Sequence, residues 1–173
     1  MQITRAADYA VRVTIHLATL PPGVKAQRAE LAEATGAPGS FLSKVLQRLV
    51  QTGLVVSARG ATGGFELNRT RPDMTVLHVV EAIEGRTQLN LCLSDEPICD
   101  RQSWCPGHPV WREAQNALLQ VLGAASIANL AREALANQLI QVSPNHDSAS
   151  PIDEGQPNSS RRAKGTRAGK KAR

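Results

Sequence analysis

Aromatic side chains are nearly missing from this sequence: two Trp, one Tyr and two Phe make up 3% of its 173 residues. A core with so few rings has to be filled by aliphatic side chains and Ala. Long apolar runs are missing too, and no stretch approaches the ~20 residues a helix needs to cross a bilayer. The first residues, Met-Gln-Ile-Thr-Arg-Ala-Ala-Asp, lack the charged start, apolar stretch and small-residue cleavage site of a secretion signal. A cytoplasmic protein with no membrane partner is therefore expected. Cysteine occurs only three times, and in the reducing cytoplasm three thiols are not a disulfide framework. No substrate-binding signature is visible, so neither an enzyme nor a small-molecule substrate is expected.

Charge is present but unevenly spread. Residues 1–72 hold nine Lys and Arg against four Asp and Glu, a net of +5. Residues 73–140 hold four against eight, a net of −4, and residues 141–173 hold seven against three, a net of +4. The basic front suits a polyanion, and nucleic acid is the usual one.

Apolar spacing of three and four predicts a helix over 4–20, capped by Thr4 and ended by Pro21-Pro22-Gly23. A second helix fits 28–35, with Gly36 as the left-handed residue after it. A third runs over 40–52, capped by Ser40 and closed by Gly53. Strands over 54–58 and 65–69 flank the Gly-rich segment from Arg59 to Gly64, which reads as a hairpin tip. A helix over 76–83 ends near Gly85, a loop over 86–108 carries all three cysteines, and one long helix spans 109–139. That long helix has a broad apolar stripe (Val110, Ala114, Ala117, Leu118, Val121, Leu122, Ala125, Ala128, Leu135) that its own domain is too small to cover. From Gln141 onward Ser, Pro, Asn, Gly and Lys/Arg dominate, the composition of a disordered basic tail.

Two helices joined by a tight Gly-containing turn form a helix-turn-helix, whose second helix enters the major groove. On that second helix (40–52), Phe41, Leu42, Val45, Leu46, Leu49 and Val50 form the buried face. Ser40, Ser43, Lys44 and Gln47 form the opposite stripe, with side chains able to hydrogen-bond base edges. Any amphipathic helix has a polar stripe, and the hairpin tips the balance toward DNA. Its tip, Arg59 and Gly60 followed by small residues, can bring backbone close to a duplex and place Arg59 in a narrow minor groove. Arg28 and Arg48 suit phosphates. The fold class is mainly α: a winged helix-turn-helix DNA-binding domain with a long C-terminal dimerisation helix, binding double-stranded DNA.

Cys92, Cys99 and Cys105 are spaced C-x6-C-x5-C, and His108 follows three residues after Cys105. Thiolates at that spacing suit an iron–sulfur cluster or zinc, or they pack under the long helix and bind nothing. A thiol–imidazole enzyme built on Cys105 and His108 would leave the helix-turn-helix unexplained. His16 and His78, alone on helices, read as structural or solvated.

The segments Thr4…Asp8-Tyr9-Ala10-Val11-Arg12, Leu31-Ala32…Phe41-Leu42-Ser43-Lys44-Val45-Leu46 and Arg59-Gly60-Ala61-Thr62-Gly63-Gly64-Phe65-Glu66-Leu67 resemble those of the iron–sulfur winged-helix transcription regulators, the family of IscR, NsrR and RirA. The likeness runs from Met1 to about Leu139. It implies a homodimer with long helices crossing between subunits, and an iron–sulfur cluster ([2Fe–2S] or [4Fe–4S]) on Cys92, Cys99 and Cys105. It further implies a repressor whose operator affinity follows nitric oxide, redox or iron status; the alternative is a cluster-free or zinc-binding regulator of the same family. For the fourth ligand the family offers two models, an Asp on the partner subunit's first helix, matched by Asp8, and a His three residues after the last Cys, matched by His108. Asp8 is favoured, which points to the nitric-oxide-sensing type. The first two cysteines stand one residue further apart than in many relatives. The organisation expected is a DNA-binding domain over 1–72, a cysteine loop and dimerisation helix over 73–140, and the tail over 141–173.

Overall fold

The computed structural model describes residues 3–60, 62–94 and 99–142, the last four by backbone only. The expected tail lies outside the described residues from 143 onward. Six α-helices and one two-stranded sheet follow in the order α1 Arg5–Thr19, α2 Arg28–Thr35, α3 Gly39–Gln51, β1 Val55–Ala58, β2 Gly64–Leu67, α4 Val76–Glu84, α5 His108–Ala124 and α6 Ile127–Val142, with a short 3-10 helix at Leu91–Leu93. Among the described residues no helix is long and apolar enough to cross a membrane.

Local chemistry explains most boundaries. Thr4 caps α1, its hydroxyl accepting from the Ala7 N–H, and Leu20 turns extended just before Pro21, as residues preceding proline do. Ala7, Ala10, Val13, Thr14 and Leu17 share the buried face of α1. At the start of α2 the Gln27 N–H donates to the Glu30 carboxylate at 3.3 Å, and Gly36 closes the helix in the left-handed region at φ 69°. α3 begins one residue earlier than its sequence indicates. Pro38 occupies the cap position, its carbonyl accepting from Phe41 and Leu42, so Ser40 is an exposed first-turn residue and not the cap. Leu42, Val45, Leu46 and Leu49 bury the expected face of α3, and Phe41 meets Tyr9 of α1 edge-on at 5.7 Å.

The wing is an antiparallel pair in which Val55 faces Leu67 and Ala58 faces Gly64. Its root is fixed by a further bridge in which Ala26 and Phe65 exchange both backbone hydrogen bonds at 2.9 Å. Gly64 makes this possible: its φ is 148°, and a Cβ there would lie 2.8 Å from the Ala26 carbonyl oxygen.

The long helix expected over 109–139 is two helices. Ala125 is extended, and the chain breaks where Val76 N–H donates to Ala125 O and Ile127 N–H donates to Met74 O, both at 2.9 Å. Ser126, a residue type favoured at helix starts, stands just before α6. The break divides the apolar stripe. Ile127 is buried in the core that α1, α3 and α4 build, and Ala131 one turn on is buried too, while Val110 and Val121 on α5 remain 63% and 67% exposed.

Ile127→Ala removes a side chain that is 1% exposed, and a cost of about 2–5 kcal/mol is expected. Leu135→Ala, at a position 42% exposed on the same helix, should cost under about 1 kcal/mol. Urea denaturation of the two variants checks the difference; equal losses would show that α6 is not docked through Ile127.

Candidate nucleic-acid interface and cysteine cavity

On α3 the residues Ser40, Lys44 and Gln47 are exposed and Ser43 is partly so, which leaves their stripe facing away from the core. Arg28, at the first position of α2, donates from Nη1 to the Ser43 hydroxyl at 2.9 Å, and that hydroxyl donates to the Gly39 carbonyl at 3.1 Å. This bond holds the two helices of the helix-turn-helix in register at their exposed edge. A groove of about 320 Å³ separates α3 from the wing, lined by Arg28, Ser43, Gln47, Val50, Ser57 and Phe65 among others.

Arg48, expected to meet phosphate, is exposed on α3 and also has a partner within the fold. Its Nε donates to the Ala82 carbonyl in the last turn of α4 at 3.0 Å. A cation at a helix C-terminus meets the negative end of the dipole, so Arg48 joins α3 to α4. Arg59 and Gly60 are exposed at the wing tip. The Gly63 carbonyl accepts from the Gln27 side-chain amide, which braces the wing against the start of α2. A Cβ at Gly63 would lie 2.4 Å from the Ala58 carbonyl oxygen, so the turn closes only without a side chain there. The bridge at Ala26 also brings exposed Lys25 to the foot of the wing. Nothing in the sequence marks Lys25 for that place, because it lies in a loop with no periodicity.

The three cysteines are free thiols and line one cavity of about 460 Å³ together with Asn90, Leu91, Asp100, Arg101, Gln102, His108 and Trp111. Cys92 rides on the 3-10 turn that Asn90 caps from its side chain. Cys99 to His108 advance by successive turns: Gln102 N–H donates to Cys99 O, Cys105 N–H to Arg101 O, and His108 N–H to Cys105 O. The loop is therefore largely coiled, and it is anchored to α5 where Leu89 N–H donates to the Gln115 side chain at 3.1 Å.

His108 opens α5 and is 8% exposed, and its Nδ1 is buried with no hydrogen-bond partner among the described residues. It makes no bond to the first turn of its own helix. An unpartnered buried nitrogen is costly, and this one belongs to a side chain lining the thiol cavity. Asp8 does not reach the cavity of its own chain. It sits near the start of α1, paired with Arg12 at 2.8 Å, both side chains about half exposed. Such a pair is worth about 0.3–0.5 kcal/mol and opens easily. Among the described residues no three of His, Cys, Asp and Glu close on one point as a single metal ion requires. His78 accepts the Thr75 N–H at 3.1 Å within the cap of α4, and His16 lies 3.7 Å from Glu30. Trp111 and Arg101, which also line the cavity, carried no signal in the sequence beyond helix or loop membership.

A helix-turn-helix with its second helix exposed, a wing braced beside it, and a separate thiol-lined cavity define a DNA-binding transcription regulator. The chain belongs to the Rrf2 family, described as iron-dependent transcriptional regulators, which matches residues 3–133. It is 30% identical over 148 residues to an HTH-type transcriptional regulator of Mycobacterium tuberculosis, across 84% of this chain and 91% of that protein. To the HTH-type transcriptional regulator IscR of Xenorhabdus nematophila it is 27% identical over 148 residues, across 86% and 88%. The structure of CymR, the global cysteine regulator of B. subtilis, is similar with a TM-score of 0.62 at 25% identity, over 77% of this chain and 98% of that one. These relatives are regulators of transcription and not enzymes.

Arg48→Ala should lower stability by about 1–2 kcal/mol, since it strips a charged partner from the α4 carbonyl. Lys44→Ala, at an exposed position one turn earlier, should stay within about 0.5 kcal/mol. Thermal melting of both variants without DNA tests this; equal melting temperatures would remove the structural role of Arg48.

Proposed function

We propose that this regulator is a homodimeric repressor whose operator affinity follows the state of an iron–sulfur cluster held by Cys92, Cys99, Cys105 and His108. The observation that carries the reading is the buried, unpartnered Nδ1 of His108 in the same cavity as the three thiols. Thiolate and imidazole donors fit iron–sulfur chemistry. Three thiolates with one imidazole around a cavity of about 460 Å³ leave room for a cluster, and the family model that matches is described as iron-dependent. When bound, the cluster supplies a centre that can be oxidised, degraded or lost. His108 is preferred to Asp8 as the fourth ligand, because Asp8 is paired with Arg12 while His108 Nδ1 has no partner among the described residues.

The remaining steps belong to the chain. His108 is the first residue of α5, so a pull on its ring acts on that helix. The far end of α5 is bonded to Val76 at the start of α4, and the last turn of α4 is bonded to Arg48 on α3. A change at the cavity thus has a route through α5, α4 and Arg48 by which it can bias the DNA-reading helix. A second copy is supported by the exposed row Val110, Ala114, Ala117, Val121 and Ala124 on α5, spaced four and three as in a helix–helix seam. On DNA, Ser40, Ser43, Lys44 and Gln47 read base edges, Arg28 turns to phosphate, and Arg59 with Gly60 carries the wing.

Anaerobically prepared protein should be coloured, and Ser at Cys92, Cys99 or Cys105 should each abolish the visible absorption and change operator affinity. His108→Ala should alter the spectrum while Asp8→Ala leaves it unchanged. The opposite pattern would transfer the fourth position to Asp8 of a second subunit, and a colourless protein would make this a thiol-only or zinc-binding regulator.

For DNA reading, Lys44→Ala should weaken binding to the cognate operator more than to random duplex by about 1–3 kcal/mol. Equal losses on both, measured by fluorescence anisotropy at fixed salt, would reduce Lys44 to a phosphate contact.

A further inference from the structure

Resting on the cluster reading above, we infer that Trp111 is a positioning and tuning residue for that centre, its indole N–H donating to sulfur at Cys105. Trp111 follows His108 by three residues on α5, so both side chains share one face of the helix. Both line the thiol cavity. The indole Nε1 and the Cys105 sulfur lie 3.6 and 3.7 Å from the point where a Cβ on Gly107 would stand. A side chain at Gly107 would touch both groups, so its absence leaves ring and sulfur bordering one open space. An indole N–H donates and cannot accept, and while the Trp111 backbone N–H donates to Gly107 O at 3.1 Å, its indole N–H has no acceptor among the described residues. The atom that fits is an electron-rich sulfur, and a thiolate bound to iron is one. Hydrogen bonds to the sulfurs of a cluster stabilise its more negative, reduced form and raise its reduction potential.

The second tryptophan serves as a control. Trp104 is 67% exposed, stacks against the Arg101 guanidinium at 5.8 Å, and does not line the cavity.

The test is a redox titration of anaerobically loaded full-length protein, followed by visible absorbance. Trp111→Phe keeps a ring and removes the N–H; it should bind the cluster with an altered potential, shifted to more negative values. Trp104→Phe should titrate like the parent protein. A Trp111→Phe protein with an unchanged potential would overturn the inference while leaving the cluster reading intact, and a parent protein that never takes up colour would overturn both. Trp111→Phe could also fail to load, so a second measurement uses the Trp104→Phe background with the remaining indole labelled with 15N. Pulsed electron paramagnetic resonance of the reduced centre should show coupling to that nitrogen, and its absence would overturn the inference.

Discussion

Two backbone hydrogen bonds, from Val76 N–H to Ala125 O and from Ile127 N–H to Met74 O, fix where the two halves of the molecule meet. Each is worth about 1 kcal/mol net, but their geometric effect is larger than their energy. They interrupt a run of Ala and Leu that would otherwise stay helical, and they do so with Ile127 positioned over the core. α6 then returns to α1, while α5 is left with one side bare and the thiol cavity at its far end. Without that break, α1 would lose the cover that Ile127 and Ala131 give it.

The same junction makes α4 the middle member of a chain of contacts. Its start is bonded to the α5–α6 break. Its last turn accepts from Arg48 of α3, and Glu84 at its end accepts the Thr4 N–H at 2.8 Å. A nine-residue helix so tied at both ends moves as a unit. The charged side chains that fasten it, Arg48 and Glu84, hold backbone atoms rather than each other. A shift of α4 therefore passes to the first and third helices through directional bonds and not through exposed ion pairs, which salt would screen.

Much of this was legible from residue order. The caps at Thr4, Gly36 and Gly53, the amphipathic face of the third helix and the hairpin around Gly63 and Gly64 are local chemistry, and they stand within a residue or two of where the sequence puts them. What was not legible depended on partners distant in sequence. Gly123 and Ser126 are only weak local signals for a break at Ala125, because what fixes it is pairing with residues 74–76. Ile127 and Ala131 fall outside the stripe read from periodicity, since that stripe was phased on a single straight helix. The bond from Arg48 to α4 could not be read from the sequence because its partner lies 34 residues away. In the cavity the cysteines and His108 were visible from type and spacing. Trp111 was not, because an aromatic in the first turn of a helix has many commoner reasons to be there. The sequence leans to Asp8 for the fourth position, and the buried imidazole nitrogen that favours His108 depends on how the loop folds.

The scarcity of aromatic rings has an optical consequence. Both tryptophans of the chain, Trp104 and Trp111, stand in or beside the cysteine loop, and the winged helix-turn-helix contains only Tyr9, Phe41 and Phe65. Emission excited near 295 nm therefore originates entirely from the cavity end of the protein, with no background from the DNA-reading end. An iron–sulfur chromophore absorbing in the near ultraviolet would quench it by energy transfer over such a short distance. The protein thus carries a built-in fluorescent gauge of what fills the cavity, readable while DNA is bound at the other end and with no label added.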